Sequence, residues 1–367
     1  MNDISVSADR HAIERGSFNG NAKEYFGIWI VNILLTIMTL GIYSAWAKVR
    51  RKRYFNGNTL LAGRAFGYHA TGGQIFKGRL IAFAFIVFSQ LVGLIHPFLV
   101  FAPTILLLIF LPWVITRSIR FNARVTSYRN VRFDFVGTAW GAFVSILLGS
   151  FVALLSIGIL APLASRWANR YIVSNLHYGD RRFSTDPKIG ALYRAWIIPA
   201  LLVVVGGVLA VFLLIFLAMV LVQAAGIGSR ELATAPENYE IVTLFGLGQI
   251  LINLLVAMLI YGFASTVYKA GVRNVVVSST LLDGKHELHS DLHRGRYLWI
   301  VFSNLIVTIF TFGLMRPWAA VREAQYAVER MGISFKGDMG EVLSSMEATG
   351  AAVSAEYMDM EGFEFGF

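Results

Sequence analysis

Long apolar segments alternate with polar, mostly basic segments along the chain. Several of the apolar segments approach or exceed the roughly 20 residues that a helix needs to cross about 30 Å of hydrocarbon. The seven segments are residues 25–46, 80–95, 98–116, 140–164, 196–222, 241–264 and 297–318. This pattern predicts an all-α polytopic membrane protein.

The stretch at residues 32–54 is restated at residues 304–326. The two copies read NILLTIMTLGIYSAWAKVRRKRY and NLIVTIFTFGLMRPWAAVREAQY, with Asn, two Thr, Gly, Trp, Arg and Tyr in register. A weaker copy at residues 149–171 keeps a Ser, the Gly and the Tyr but has Gly149 in place of the Asn. Such recurrence predicts a fold built from internal repeats. Weaker similarity to the repeated stretch follows two other apolar segments, near Pro112 and Tyr268.

The basic loops determine the expected topology. Seven plain spans would place successive Arg-rich loops on alternating faces, whereas short loops rich in Lys and Arg collect on the cytoplasmic face. If residues 25–46, 140–164 and 297–318 are re-entrant, and the other four segments span the membrane, every basic loop and both termini are cytoplasmic. Only residues 96–97 and the acidic loop at 223–240 then face outward. Seven kinked or plain spans are the alternative.

A re-entrant segment must bend inside the bilayer, where hydrocarbon offers the freed backbone groups no partners. Glycine permits the bend, and Thr or Ser hydroxyls can bind the backbone there. We therefore expect these segments to be packed inside protein rather than against lipid. The predicted bend glycines are Gly41, Gly158 and Gly313.

The remaining segments are polar. Residues 56–73 have turn residues around short alternating runs, which predicts a small β-hairpin after the helix and small cytoplasmic hairpins more generally. We divide the chain into a polar cytoplasmic N-terminal segment (1–24), a repeat-built transmembrane domain (25–345) and an acidic, disordered C-terminal tail (346–367).

Composition narrows the class of protein. Hydrophobic residues make up 56% of the chain and charged residues 15%, which is more apolar than a soluble domain. The absence of cysteine excludes disulfides and thiolate chemistry. The net charge of +10 resides beside the apolar segments, which favours membrane topology and anionic membrane lipids as partners over nucleic acid.

Two sets of residues are candidates for function. Polar side chains of the repeated segments could line a substrate path: Asn32, Thr36, Thr39, Asn304, Thr308 and Thr311. Trp, Arg and Tyr at spacings of three and four share a helix face and could form a cytoplasmic surface for anions or lipid headgroups: Trp46, Arg50, Arg53, Tyr54, Trp113, Arg117, Arg120, Arg170, Tyr171, Trp318, Arg322 and Tyr326. The competing interpretations are polar side chains that join helices and an ordinary interfacial belt.

Other chemistry has little support. His286, His289 and His293 lie near acidic residues, but hydrophilic loops collect such residues by chance, so we predict no metal site. The chain has no Walker loop, dinucleotide fingerprint or serine elbow. We therefore expect no cofactor and no enzyme.

The repeated residues resemble a known family. Asn32, the runs TLGIY at 39–43 and WAKVR at 46–50, and the second copy at 304–326 are similar to the YjgN-like family of uncharacterised bacterial inner-membrane proteins. The resemblance covers residues 20–345 and extends through Arg53-Tyr54-Phe55, Asn58-Thr59, His69-Ala70 and residues 77–80. The first copy has Ala45 where the family pattern often has Pro. The resemblance implies location in a bacterial inner membrane and brings no substrate or reaction.

Two functions from different classes follow. The first is a channel or transporter for a small solute, with an anion as one candidate, whose path runs beside the two Asn/Thr segments. The second is a non-transporting membrane scaffold that binds anionic lipid or a partner through its basic face. The oligomeric state is open.

Overall fold

The computed structural model describes residues 13–224, 239–345 and 347–348. Within them the chain forms five successive helical hairpins, each followed by one or two β-strands. The helical hairpins are α1–α2 (Ala22–Met38, Ser44–Asn58), α3–α4 (Gly72–Ile95, Phe101–Arg124), α5–α6 (Ala139–Leu155, Ala161–Ser174), α7–α8 (Ile189–Ala224, Tyr239–Val277) and α9–α10 (Arg294–Phe310, Arg316–Glu329). The predicted internal repeat is therefore an αα–β unit that occurs five times.

Short and long helical hairpins alternate around the fold. Among the described residues, α3, α4, α7 and α8 are the helices long and apolar enough to cross a membrane, as expected for four spans. The other three apolar segments are each divided into two helices at Gly41, Gly158 or Gly313. We call α1–α2, α5–α6 and α9–α10 the short hairpins.

The connections between units form an eleven-stranded antiparallel sheet, so the predicted all-α class is wrong. Two-residue turns with positive φ, such as Ala62-Gly63 and Asp283-Gly284, join short strands in the geometry that suits a twisted hairpin. The strands are β1 (Ile13–Arg15), β2 (Ser17–Phe18), β3 (Thr59–Leu61), β4 (Arg64–Tyr68), β5 (Thr126–Tyr128), β6 (Val131–Phe135), β7 (Leu176–Tyr178), β8 (Arg181–Thr185), β9 (Thr280–Leu282), β10 (His286–Ser290) and β11 (Met331–Ser334).

The N-terminal residues bring the two ends of the sheet together. β1 pairs with β11 through Ile13 and Ser334, while β2 pairs with β3 through Ser17 and Leu60. Since only Gly16 separates β1 from β2, the sheet is nearly a closed barrel. The N-terminal strands supply the second strand that the last unit lacks. The four connections between units and the closing strands consequently lie on one side of the helices.

The interior of the sheet is filled with apolar side chains. One buried cluster contains residues from the second, third, fourth and fifth units and from the segment that follows β11: Tyr128, Val131, Tyr178, Leu282, Ile333, Phe335 and Leu343. Leu343 belongs to a short C-terminal helix that covers one end of the sheet. The axis of the sheet is therefore a packed core.

The helices follow the order of the strands around this sheet. α1 packs against α10, α7 against α8, and each short hairpin contacts the span beside it. In contrast, the backbones of α3 and α4 approach each other closely at almost no position. Much of the predicted outward loop at 223–240, all but two residues of the tail at 346–367 and the first part of the segment at 1–24 lie outside the described residues.

Candidate functional site

Asparagine and arginine join the two arms of the first and last short hairpins. Oδ1 of Asn304 accepts from Nη1 of Arg322 at 3.1 Å, and Oδ1 of Asn32 accepts from Nη1 of Arg50 at 3.4 Å. Both asparagines are buried. Each pair is separated by 18 residues, so the same bond occurs at the same position of both repeats.

The middle short hairpin joins its arms differently. Gly149 lies where the other copies have Asn, and Trp167 lies where they have Arg. A Cβ added to Gly149 would meet the Trp167 ring and the Ala164 backbone at 3.5 Å. Close packing of a large ring on a glycine therefore replaces the polar bond.

The predicted path threonines bind the backbone of their own helices. Thr36 Oγ1 donates to the Asn32 carbonyl at 2.6 Å, and Thr39 Oγ1 donates to the Leu35 carbonyl at 2.7 Å. Thr311 Oγ1 likewise donates to the Val307 carbonyl at 2.7 Å, and the Thr308 carbonyl accepts from the amide of Gly313. The structure thus places these side chains in the helical hairpins, and their role in a substrate path stays a prediction.

The three turns have one backbone geometry. The bend glycines have φ of 92°, 84° and 88°, and the residue before each has φ between 49° and 52°. The amide of Gly41 donates to the carbonyl five residues earlier at 2.7 Å, and Gly158 and Gly313 do so at 2.8 Å. The hydroxyl of Thr39, Ser156 or Thr311 then accepts from the amide four residues later. These bonds satisfy turn groups without partners from elsewhere.

A large apolar side chain occupies the apex of each turn and is almost fully exposed. The exposed fractions are 95% for Leu40, 94% for Ile157 and 97% for Phe312. The expectation that the bends are packed inside protein is therefore wrong at the apices. Non-glycine residues in this left-handed conformation are strained by about 1–2 kcal/mol, so the exposed side chain is retained despite a local cost.

The repeated tyrosine fixes the start of each short hairpin. Tyr171 Oη donates to the Thr138 carbonyl at 2.7 Å, and Tyr54 Oη donates to the Asn21 carbonyl at 2.9 Å. Tyr326 Oη accepts from the amide of His293 at 3.1 Å. The partner is the N-cap residue 33 residues earlier in all three copies.

The predicted basic and aromatic face is divided between internal and exposed contacts. Arg53 and Arg120 each donate to two carbonyls at the end of the following β-hairpin. The guanidinium carbon of Arg117 lies 5.9 Å from the centroid of the Trp113 ring. The equivalent distance from Arg322 to Trp318 is 5.2 Å. Trp46 packs on Gly72 and Phe76, and Arg170 lies 3.7 Å from Asp186.

Charge is strongly uneven along the chain. Between Glu24 and Asp134 every Asp, Glu, Lys and Arg position is Lys or Arg. Several acids elsewhere have basic partners: Arg15, at 2.9 Å, lowers the pKa of Asp291, and Arg166, at 2.9 Å, lowers the pKa of Asp186. The first two helical hairpins therefore carry a surplus of positive charge.

The histidines that the structure describes contact other partners than one another. Among the described residues no three His, Asp or Glu side chains are grouped closely enough to hold a metal ion. His286 is buried in the sheet, where its Nδ1 accepts from the amide of Lys336 at 3.1 Å. Burial lowers the pKa of His286.

Four apolar spans, three short hairpins with exposed apolar apices and a nearly closed sheet define an integral membrane protein built from repeated units. The chain belongs to the family described as "Bacterial protein of unknown function (DUF898)", whose model matches residues 14–360.

Relatives of the chain carry the name of the family that its sequence resembles. The chain is 25% identical over 386 aligned positions to "Inner membrane protein YjgN" of Salmonella typhimurium strain LT2. This alignment covers 95% of this chain and 94% of the relative. It is 28% identical to the protein of that name from Escherichia coli O157:H7, over 82% of this chain and 83% of the relative. No solved structure matches the chain. The predicted family is confirmed, and the protein is an inner-membrane protein.

Proposed function

We propose that the protein is a non-transporting scaffold of the inner membrane that binds anionic lipid through its basic helical hairpins. The observation that carries the proposal is the common design of the short hairpins. Each presents one large apolar apex residue, Leu40, Ile157 or Phe312, on a turn whose backbone bonds are internally satisfied. An apolar side chain held outward in this way is suited to lipid contact.

The short hairpins are re-entrant in this proposal and insert into the leaflet nearest the sheet. Arg79 donates to Ser44 beside the first apex, and Arg316 follows the third turn directly. Because a charged side chain at the bilayer centre is costly, the apices belong near the interface. The sheet, with both termini, is then cytoplasmic, in keeping with the excess of Lys and Arg around it.

Single cysteines test the insertion, because the natural chain has none. Leu40→Cys, Ile157→Cys and Phe312→Cys should resist an aqueous maleimide. A fluorophore attached to each of these cysteines should be quenched by a shallow nitroxide lipid in bilayers. Asn130→Cys, at the turn between β5 and β6, is the exposed control and should label from the cytoplasm. Rapid labelling of the apices from the periplasm would contradict re-entrance.

Lipid retention tests the binding role. The full chain purified in detergent should retain phosphatidylglycerol in preference to phosphatidylcholine when native mass spectra are recorded. The preference should weaken as salt is raised, because the attraction is electrostatic. Equal retention of the two lipids would overturn the proposed function.

Transport is the second candidate, and one contact favours it. α1 packs against α10, so the hairpins that contain Asn32 and Asn304 are neighbours. A path between them would make flux sensitive to these residues. Proteoliposomes loaded with a halide-sensitive dye should then admit iodide, and Asn32→Ala should reduce the rate. Iodide entry no faster than in protein-free vesicles would remove support for this candidate.

A further inference from the structure

We propose that one anionic phospholipid binds between α3 and α4, with its phosphate between Arg79 and Arg117 and its acyl chains along the two spans. The inference rests on the proposed lipid-binding function and assigns it a site. The space between these two spans is called the α3–α4 slot below.

The slot has an apolar base. β4 and β5 are neighbours through Tyr68 and Thr126, so α3 begins close to where α4 ends. Ile75 of α3 and Phe121 of α4 pack against the same buried cluster. Beyond this base the backbones of the two helices do not approach each other closely, and none of residues 80–95 is buried.

One helical turn above the base, each span carries an arginine. Arg79 follows Ile75 by four positions, and Arg117 precedes Phe121 by four positions. Side chains four residues apart lie on one face of a helix. Since Ile75 and Phe121 contact the same buried cluster at the base, the two arginines lie on the faces of α3 and α4 that flank the space above it.

Both guanidinium groups are held by neighbours on their own sides of the slot. Arg79 donates to Ser44 of α2, and Arg117 lies over the ring of Trp113. A guanidinium is a planar fork of five N–H donors that suits two oxygens of one phosphate. Two such groups at one end of a slot favour a single bound anion.

The charge around the slot fits an anionic occupant. No Asp or Glu occurs among residues 25–133, which include both spans and the basic helix α2. Arg79 directly precedes the apolar run of α3, and Arg117 directly follows that of α4. Both arginines therefore lie at the depth of lipid phosphates rather than in the hydrocarbon.

Beyond the arginines the walls are apolar and open. Exposed fractions are 62% for Phe83 and 56% for Ile86 of α3, and 52% for Phe110 of α4. A Cβ added to Gly78, three residues after Ile75, meets no atom within 4 Å. The slot thus has room beside its base for the glycerol end of a lipid and apolar walls for its chains.

Native mass spectrometry of the full chain in detergent, with phosphatidylglycerol as the probe, tests the site. We expect Arg79→Gln with Arg117→Gln to weaken phosphatidylglycerol binding by about tenfold or more, since the phosphate loses two cationic partners. The matched control is Lys48→Gln with Lys52→Gln, which removes equal charge from exposed positions of α2. The control should lose much less phosphatidylglycerol binding than the arginine variant does.

A second variant tests the space in the slot without changing its charge. Gly78→Trp keeps both arginines but fills the open space, so it should also weaken phosphatidylglycerol binding. Circular dichroism and thermal unfolding in detergent establish that each variant is folded. Binding by a folded Gly78→Trp variant equal to that of the natural chain would place the lipid elsewhere and overturn the slot.

The remaining outcomes distinguish this inference from the broader proposal. Equal losses in the arginine variant and the lysine control would indicate a diffuse basic surface, which overturns the slot but leaves lipid binding standing. Binding of glycerol 3-phosphate as tight as that of the lipid would indicate a small-anion site and also overturn the slot. No preference for phosphatidylglycerol over phosphatidylcholine in the natural chain would overturn both.

Discussion

Arg322 donates from Nη1 to Oδ1 of the buried Asn304 at 3.1 Å, which joins the two arms of the last short hairpin. Arg50 and Asn32 make the equivalent bond in the first short hairpin at 3.4 Å. In the middle hairpin Gly149 and Trp167 occupy the two positions. The same backbone is therefore held by a polar pair twice and by close packing once.

Transplanting the packed pair into the last hairpin tests this equivalence. Arg322→Trp alone leaves the buried Asn304 carbonyl without its donor and should lower the free energy of unfolding by about 1–3 kcal/mol. Adding Asn304→Gly makes room for the ring and should recover part of the loss. Thermal unfolding of the two single variants and the double variant in detergent measures the coupling. Strictly additive losses would contradict the equivalence.

The bend glycines should tolerate no side chain, although space is available. Nothing lies within 4 Å of a Cβ added to Gly41 or Gly313, but both have φ near 90°. Gly41→Ala and Gly313→Ala should therefore destabilise the protein by about 1–2 kcal/mol each. Gly27→Ala, also in open space but within α1, should stabilise it by about 0.5–1 kcal/mol. Unchanged unfolding temperatures for the bend variants would contradict the strained turn.

The repeated tyrosines should contribute through their hydroxyl groups. Tyr171→Phe removes the bond to the Thr138 carbonyl and should lower the free energy of unfolding by about 1 kcal/mol. Tyr54→Phe should behave alike because it loses the bonds to Asn21. Tyr261→Phe, in a side chain that is 69% exposed, is the matched control. Equal stability of all three variants would show that the bonds contribute nothing.

The sheet should depend on its N-terminal strands. Removal of residues 1–18 takes away β1 and β2 and leaves β3 and β11 with unpaired edges, which favour association between chains. We expect larger aggregates in size-exclusion chromatography and faster proteolysis near residue 334. Removal of residues 1–12 alone is the control and should leave a monodisperse protein with the natural cleavage rate. Monodisperse protein after the longer truncation would contradict the closure.

The C-terminal cover of the sheet should weaken in acid. The lowered pKa of His286 keeps its imidazole neutral when folded, and Nδ1 accepts from the amide of Lys336. This stability is complete above the ordinary histidine pKa of about 6.5 and is lost as pH falls through the folded pKa. Hydrogen-exchange protection of residues 335–345 should therefore decrease as the pH falls below about 6.5. His286→Asn should show a smaller decrease, and an identical one would refute the role of His286.

The repeat was readable in the sequence because it is local. Asn32, Gly41, Arg50 and Tyr54 all act within one helical hairpin, so their residue types recur at fixed spacing. The division of three apolar segments at the bend glycines, the four spans and the family could be predicted for this reason. The second and fourth units showed only weak similarity to the repeat because their long hairpins lack the short turn.

The sheet was underestimated because its strands are short and separated by helices. Turn pairs such as Ala62-Gly63 and Asp283-Gly284 are visible signals, but each isolated hairpin is only marginally stable in water. Pairing Ile13 with Ser334 depends on residues more than three hundred positions apart. No local pattern identifies such a partner.

The sequence by itself determined the membrane class, the family and the positions of the helical turns, because periodicity and glycine act over a few residues. Only the tertiary structure decided what the polar residues contact. It joined Asn304 to Arg322, left Leu40 and Phe312 exposed, and separated α3 from α4 above Ile75 and Phe121. These outcomes depend on how whole helices and strands pack, and packing between distant segments leaves no fixed spacing in the chain.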